Sequence, residues 1–201
     1  MISNFFDALL KQPLFSKEVL EIIAVISAVI YVYLAAKANK WCFLFGLISS
    51  VIYVYIATVL KFYFDTAINA YYVFMSIYGW VEWGKTKPSN LQIQSLSKAG
   101  FRKLILIGLL LCIGLGLLAD YFSDAVLAYP DAFTTIFSFI ATYLVVKKYI
   151  ENWIIWIFVD LIAAGMYFYK ELYLTALLFI LYTILAIWGF KNWKKKLDHA
   201  L

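Results

Sequence analysis

Apolar residues run along this chain in long stretches, and the polar ones gather in short gaps between them. Seven stretches can be marked, at Val19–Ala36, Trp41–Leu60, Thr66–Trp83, Leu104–Ala119, Ala132–Val146, Asn152–Tyr169 and Leu172–Trp188. Most approach the ~20 residues that a helix needs to cross the hydrocarbon core of a bilayer. Segments such as SAVIYVYLA (Ser27–Ala35) and SSVIYVYIA (Ser49–Ala57) carry the β-branched and aromatic residues of a strand. In lipid an isolated strand leaves its amides unpaired, whereas a helix pairs them within the segment. The pattern therefore predicts an all-α integral membrane protein with seven transmembrane helices.

Composition agrees. Of 201 residues, 65% are hydrophobic and 14% charged, against roughly 45–50% and about 25% in a soluble domain. Lys11 and Lys17 precede the first stretch, and Ala36–Ala38 (AKA) has the look of a signal cleavage site. Glu21 interrupts that stretch, however, and the repeat described below needs it, so it is expected to be retained.

The basic residues then set the orientation. With the N-terminus outside, thirteen of the seventeen fall in the cytoplasm, in the gaps around Lys37, Lys85, Lys98 and Lys147 and in the C-terminal tail. Lys11, Lys17, Lys61 and Lys170 fall outside, as does the aspartate-bearing, lysine-free stretch Asp120–Asp131. The net charge of +5 is thus topological, and no nucleic-acid partner is needed to explain it. Cys42 and Cys112 sit in apolar runs, and His199 stands alone near the end. The chain has no phosphate-binding GxxxxGK[ST] loop, no GxSxG or HExxH and no paired catalytic carboxylates. No metal, cofactor or catalytic residue is expected.

IYGWVEWGK (Ile77–Lys85) and IWGFKNWKK (Ile187–Lys195) are two copies of one phrase, 110 residues apart. At that spacing Gly79 meets Gly189, Trp83 meets Trp193, Tyr72 meets Tyr182, Tyr63 meets Tyr173 and Lys37 meets Lys147. A shift of two residues further sets Asn39–Trp41 on Glu151–Trp153. Stretches one to three therefore match five to seven, and the fourth lets the second unit start on the same side as the first. The expectation is two parallel three-helix bundles, residues 19–83 and 132–193, flanking one pathway. Residues 84–131 form a cytoplasmic loop and linker helix, 1–18 an extracytoplasmic segment and 194–201 a basic cytoplasmic tail.

Polar groups at membrane depth are costly and become the candidates for ligand contact. Asn69, Tyr72, Ser76, Trp80 and Trp83 recur at helical spacing along one face of the third stretch. Trp153, Trp156 and Asp160 do so on the sixth, with Asp160 near mid-depth, and Tyr182, Thr183 and Trp188 lie on the seventh. Trp83 and Trp193 read as interfacial anchors, and Ser49, Ser50, Ser138 and Thr142 as hydroxyls that glue helices together. Flat aromatics, an amide and a carboxylate suit a planar, heteroaromatic cation.

The run YFDTAINAYYVFMSIYGWVEW (Tyr63–Trp83), with KKYIENWIIWIFVD (Lys147–Asp160) and WGFKNW (Trp188–Trp193), resembles the Pnu-type vitamin transporters, over about Glu21–Trp193. That resemblance implies a three-plus-one-plus-three bundle like that of the SWEET sugar transporters, facilitated uptake of nicotinamide riboside, thiamine or riboflavin, a homotrimer, and trapping of the vitamin by a cytoplasmic vitamin kinase. It implies a bacterial inner membrane. Nicotinamide riboside carriers of the family favour Gln at Asn69 and Asn at Ser76, Asp160 and Trp188. The loss of those amides and the gain of a carboxylate and an aromatic point to a thiamine-type branch, with nicotinamide riboside as alternative. Substrate contact is expected at Asn69, Tyr72, Ser76, Trp80, Trp153, Trp156, Asp160, Tyr182 and Trp188. A membrane enzyme on a lipid or isoprenoid, or a vitamin sensor, are the remaining classes.

Overall fold

A computed structural model describes residues 16–61, 63–85, 92–122 and 127–199. The segment before residue 16, part of the 84–131 loop and Asp124 lie outside the described residues. Seven helices follow in order: α1 Lys17–Ala36, α2 Cys42–Val59, α3 Tyr63–Gly84, α4 Lys98–Phe122, α5 Ala128–Val146, α6 Glu151–Tyr169 and α7 Tyr173–Asp198. Six have the length and apolarity to cross a membrane. The exception is α3, which has the length but carries Asp65, Asn69, Ser76 and Glu82.

Local chemistry explains the ends. Ser16 caps α1 by accepting a hydrogen bond from the Val19 amide, with Glu18 in the first turn. α4 starts six residues earlier than the apolar run, in the polar turn at Lys98. α7 runs past Trp188 to Asp198, so Lys194–Lys196 continue a helix rather than forming a separate tail, and their charge complements its C-terminal dipole.

The internal repeat is written into the backbone. Outside glycine, positive φ occurs among the described residues at Ala38 (55°), Lys61 (60°), Lys148 (55°) and Glu171 (61°). These are two pairs 110 residues apart. The hydrogen bonds match as well. Ala38 N to Ala35 O and Asn39 N to Leu34 O recur as Lys148 N to Val145 O and Tyr149 N to Leu144 O. Both pairs close a helix by letting one residue turn left-handed so that orphan carbonyls are satisfied. Lys61 N to Thr58 O likewise recurs as Glu171 N to Phe168 O.

The helices form a ring. α1 packs on α2, α2 on α3, α3 on α5, α5 on α6, α6 on α7, and α7 returns to α1; α4 lies outside, against α5. Its far side shows Leu106, Leu110, Leu111, Leu117 and Leu118, all more than half exposed, as a lipid-facing helix should. The approach to α4 is stitched to the α5–α6 turn. Gln94 N donates to Lys148 O and Ile150 N to Gln94 O, while the Glu151 carboxylate accepts from Leu96 N and the Ser95 hydroxyl.

Candidate functional site

One end of the ring carries Lys37, Lys40, Lys85, Lys147, Lys148 and the lysines after Trp193; it is the basic end. There the interior is closed by Phe43, Trp83, Trp153 and Trp193. Phe43 and Trp83 meet edge-to-face at 4.9 Å, Trp153 and Trp193 at 5.5 Å, and the two tryptophans Trp83 and Trp193 lie 6.1 Å apart. Two glycines make room. A Cβ on Gly79 would stand 2.1 Å from the Phe43 ring, and one on Gly189 2.8 Å from that of Trp153. Phe43 and Trp153 are thus counterparts at the constant separation of 110, so the two-residue adjustment at Asn39–Trp41 is not needed. Each indole also reaches into the other half of the chain. Trp83 Nε1 donates to Val146 O at 2.9 Å and Trp193 Nε1 to Ala35 O at 3.0 Å.

Charge reinforces the α3–α5 seam. The Glu82 carboxylate bridges Lys85 and Lys147, the latter at 2.9 Å. Hydrogen bonds with Tyr78 and Glu82 hold the Lys147 ammonium above the ordinary lysine range. Its neighbour Lys148 lies over the Trp83 ring at 4.5 Å, and burial together with nearby Lys196 lowers its pKa.

Further in, every helix of the ring except α4's outlier position sends a polar group inward: Tyr31 from α1, Tyr53 from α2, Tyr72 from α3, Ser138 from α5, Asp160 from α6 and Tyr182 from α7. The Tyr72 phenol is within hydrogen-bond reach of Ser138 and feels the charge of Asp160, as does Tyr182. Tyr53 interacts with Tyr182, and Tyr31 with Tyr72 and Tyr71. Asp160 is the tenth of the nineteen residues of α6 and only 4% exposed. No hydrogen bond or ion pair reaches it among the described residues. A carboxylate held at mid-helix by phenols, with no cation of the protein beside it, is a seat for a cation from outside.

The structure brings together Tyr72, Asp160 and Tyr182 of the expected contacts. Ser76 is buried one turn from Tyr72, against Gly46 and Tyr31, and half-buried Trp156 packs near Asp160's helix face, between the two apolar clusters. The Asn69 amide donates to Asp65 O of its own helix at 2.8 Å. Three expected contacts go elsewhere. Trp80 meets Trp41 edge-to-face at 5.0 Å beneath Lys40, Trp153 belongs to the basic-end closure, and Trp188 stacks on Tyr33 at 5.3 Å in the α1–α7 seam. Tyr31, Tyr53 and Ser138 were read as packing residues. The 110-residue shift held one usable signal, since it sets buried Ser50 opposite Asp160 as it sets Tyr72 opposite Tyr182. Among the described residues no group of His, Cys, Asp and Glu could hold a metal ion.

Comparison with known proteins adds a lineage. The family model for the nicotinamide mononucleotide transporter matches residues 18–195. The nicotinamide riboside transporter PnuC of Escherichia coli (strain K12) is 21% identical, over 87% of this chain and 84% of its own length. The riboflavin/roseoflavin transporter RibM of Streptomyces davaonensis is 23% identical, over 59% of this chain and 58% of its own. The crystal structure of the vitamin B3 transporter PnuC superposes with a TM-score of 0.72 at 20% identity, covering 90% of this chain and 82% of that one.

Proposed function

The chain belongs to the nicotinamide mononucleotide transporter family, and from that premise we propose that it carries a small, cationic, unphosphorylated vitamin across the membrane, with nicotinamide riboside the first candidate. The observation that carries this reading is the unpartnered Asp160 carboxylate among the phenols of Tyr72 and Tyr182. A pyridinium ring would stack on those aromatic faces and neutralise the carboxylate. A phosphate group would meet Asp160 with no lysine or arginine paired nearby to compensate it. The order of candidates expected from sequence is therefore reversed, because the relatives are named for nicotinamide riboside and riboflavin. Thiamine stays as the second reading on one observation: the Asn69 amide is spent on its own helix, which leaves little to recognise a ribose.

The six ring helices are read as two parallel three-helix units joined by α4, supported by the turns and tryptophan latches that recur at 110 residues. The basic end is placed in the cytoplasm of a bacterial inner membrane, the C-terminus with it, by the positive-inside rule. Transport is by facilitated diffusion, as a homotrimer, with a cytoplasmic kinase trapping the product. Tyr72, Ser76, Trp156, Asp160 and Tyr182 are the proposed contacts. The test is flux of labelled nicotinamide riboside and thiamine into liposomes holding only this protein. Saturable, ATP-independent entry of nicotinamide riboside, lost in Asp160→Ala, is expected. Entry of thiamine alone would install the second reading, and binding without entry would leave a sensor.

A further inference from the structure

α4 meets the ring through α5, so its N-terminal half and α3 leave a wedge open across the face of α5. At its base is a groove of about 510 Å³, lined by Tyr71 of α3, Gly100 and Leu104 of α4, and Phe139, Ile140 and Tyr143 of α5. Leu96 and Tyr149 stand at its basic-end mouth. The volume falls within the ~300–1,000 Å³ of small-ligand sites. The lining is apolar apart from phenols. That of Tyr71 is used up in a 2.9 Å bond to Phe139 O, while those of Tyr143 and Tyr149 have no hydrogen-bond partner among the described residues. Lys98, Arg102 and Lys103, on the first two turns of α4, are all exposed, and none forms an ion pair among the described residues.

Such a groove does not stay empty in a bilayer. An apolar wall offers water no partners, and an unfilled space forfeits dispersion contacts. A neighbouring copy of the chain would have to bury three unpaired cations to fill it, at a cost that only matching anions would offset. An acyl chain fits the wall, and an anionic headgroup fits the rim, where each cation near the surface adds about 1 kcal/mol of attraction to an anionic leaflet.

We infer that the groove between α3 and α4 holds an acyl chain of an anionic phospholipid from the cytoplasmic leaflet, its phosphate held by Lys98, Arg102 and Lys103. The leaflet rests on the orientation proposed above; the groove and its rim do not. The lipid has a structural consequence. Tyr71 lines the groove and Tyr72, the next residue, faces the polar interior. The two compartments therefore share the wall where α3 meets α5, and an occupied groove braces the vitamin site from behind.

The test is thermal unfolding of the full chain in detergent, with added phosphatidylglycerol, phosphatidylcholine or glycerol phosphate. Phosphatidylglycerol is expected to raise Tm by about 4 °C more than phosphatidylcholine, the size expected of a ligand at roughly ten times its Kd. Glycerol phosphate alone should do nothing. Ile140→Trp, which fills the groove, should abolish the difference, and Arg102→Gln with Lys103→Gln should reduce it at least twofold. Equal shifts from both lipids, a shift from glycerol phosphate alone, or an Ile140→Trp protein that responds like wild type overturns the inference. So does cross-linking between chains through a cysteine placed at 140, which gives the groove to a second copy. Should Ile140→Trp not fold, native mass spectrometry of the wild type decides: about one phosphatidylglycerol retained per chain supports the site, and none retained overturns it. Neither readout involves the vitamin, so failure of transport would leave this test intact.

Discussion

A hydrogen in place of a methyl group decides how closely the helices meet at the basic end. Gly79→Ala would drive a carbon into the Phe43 ring at 2.1 Å, and Gly189→Ala into Trp153 at 2.8 Å. Overpacking of this kind costs about 1–3 kcal/mol. Both variants should unfold at lower temperature, Gly79→Ala by the larger margin, as followed by circular dichroism in detergent. Asp160 should behave in the opposite sense. The fold gives its carboxylate no partner, so Asp160→Asn should leave Tm unchanged or raise it. The same change should weaken binding of the vitamin cation about tenfold or more, which is the loss of roughly 1.4 kcal/mol, measured by calorimetric titration. A fall in Tm with unchanged affinity would make Asp160 a structural residue. Sequence periodicity found Asp160 because a carboxylate at mid-helix stands out in an apolar run. It did not find Tyr31 or Tyr53, because among 16 tyrosines nothing in the pattern separates an inward phenol from a packing one.

At the scale of the helix, spacing reports which face a residue shares but not its depth. Trp80 and Trp188 have the right spacing with Ser76 and Tyr182's helix, yet both sit so near the basic end that neighbouring aromatics take them up. Trp153 is lost to the site for the same reason: a glycine on α7 draws its ring into the closure. The helices themselves were legible to within a few residues, because a bilayer leaves an apolar stretch no other way to pair its amides. The ends that moved, at Lys98 and Asp198, are polar extensions that no hydropathy pattern marks. The glycine–tryptophan phrase was read as a pair of interfacial anchors, and its indole hydrogen bonds make it a latch as well. Trp83→Phe and Trp193→Phe keep a ring but delete one N–H each. Either should cost about 1 kcal/mol, the usual net worth of one such bond, and the double variant about the sum, since the bonds cross different seams. A double variant no worse than either single one would mean that the two seams open as one unit.

For the whole molecule, the two seams are built alike but fastened unequally. The α3–α5 seam has an indole latch, the Tyr71 bond and the Glu82–Lys147 ion pair. The α7–α1 seam has its indole latch, the Tyr33–Trp188 stack and a bond from Lys196 to Lys37 O. Anything that leaves the polar interior toward the basic end has to part Phe43, Trp83, Trp153 and Trp193, and those rings cannot separate while both seams hold. The seam without a buried carboxylate bridge is the one that should yield first. Replacing Lys37 and Lys196 by cysteines and joining them with a short bifunctional maleimide would fasten it. The interior site is untouched, so vitamin affinity should stay within about twofold, well under the tenfold that 1.4 kcal/mol represents. Flux into liposomes should fall at least tenfold and return when a cleavable linker is cut. The same lock at Glu82 and Lys147 should slow flux less, because that seam is already tied. If the locked α7–α1 seam carries vitamin at the wild-type rate, the two halves do not separate there, and the exit runs along α3 and α5 instead.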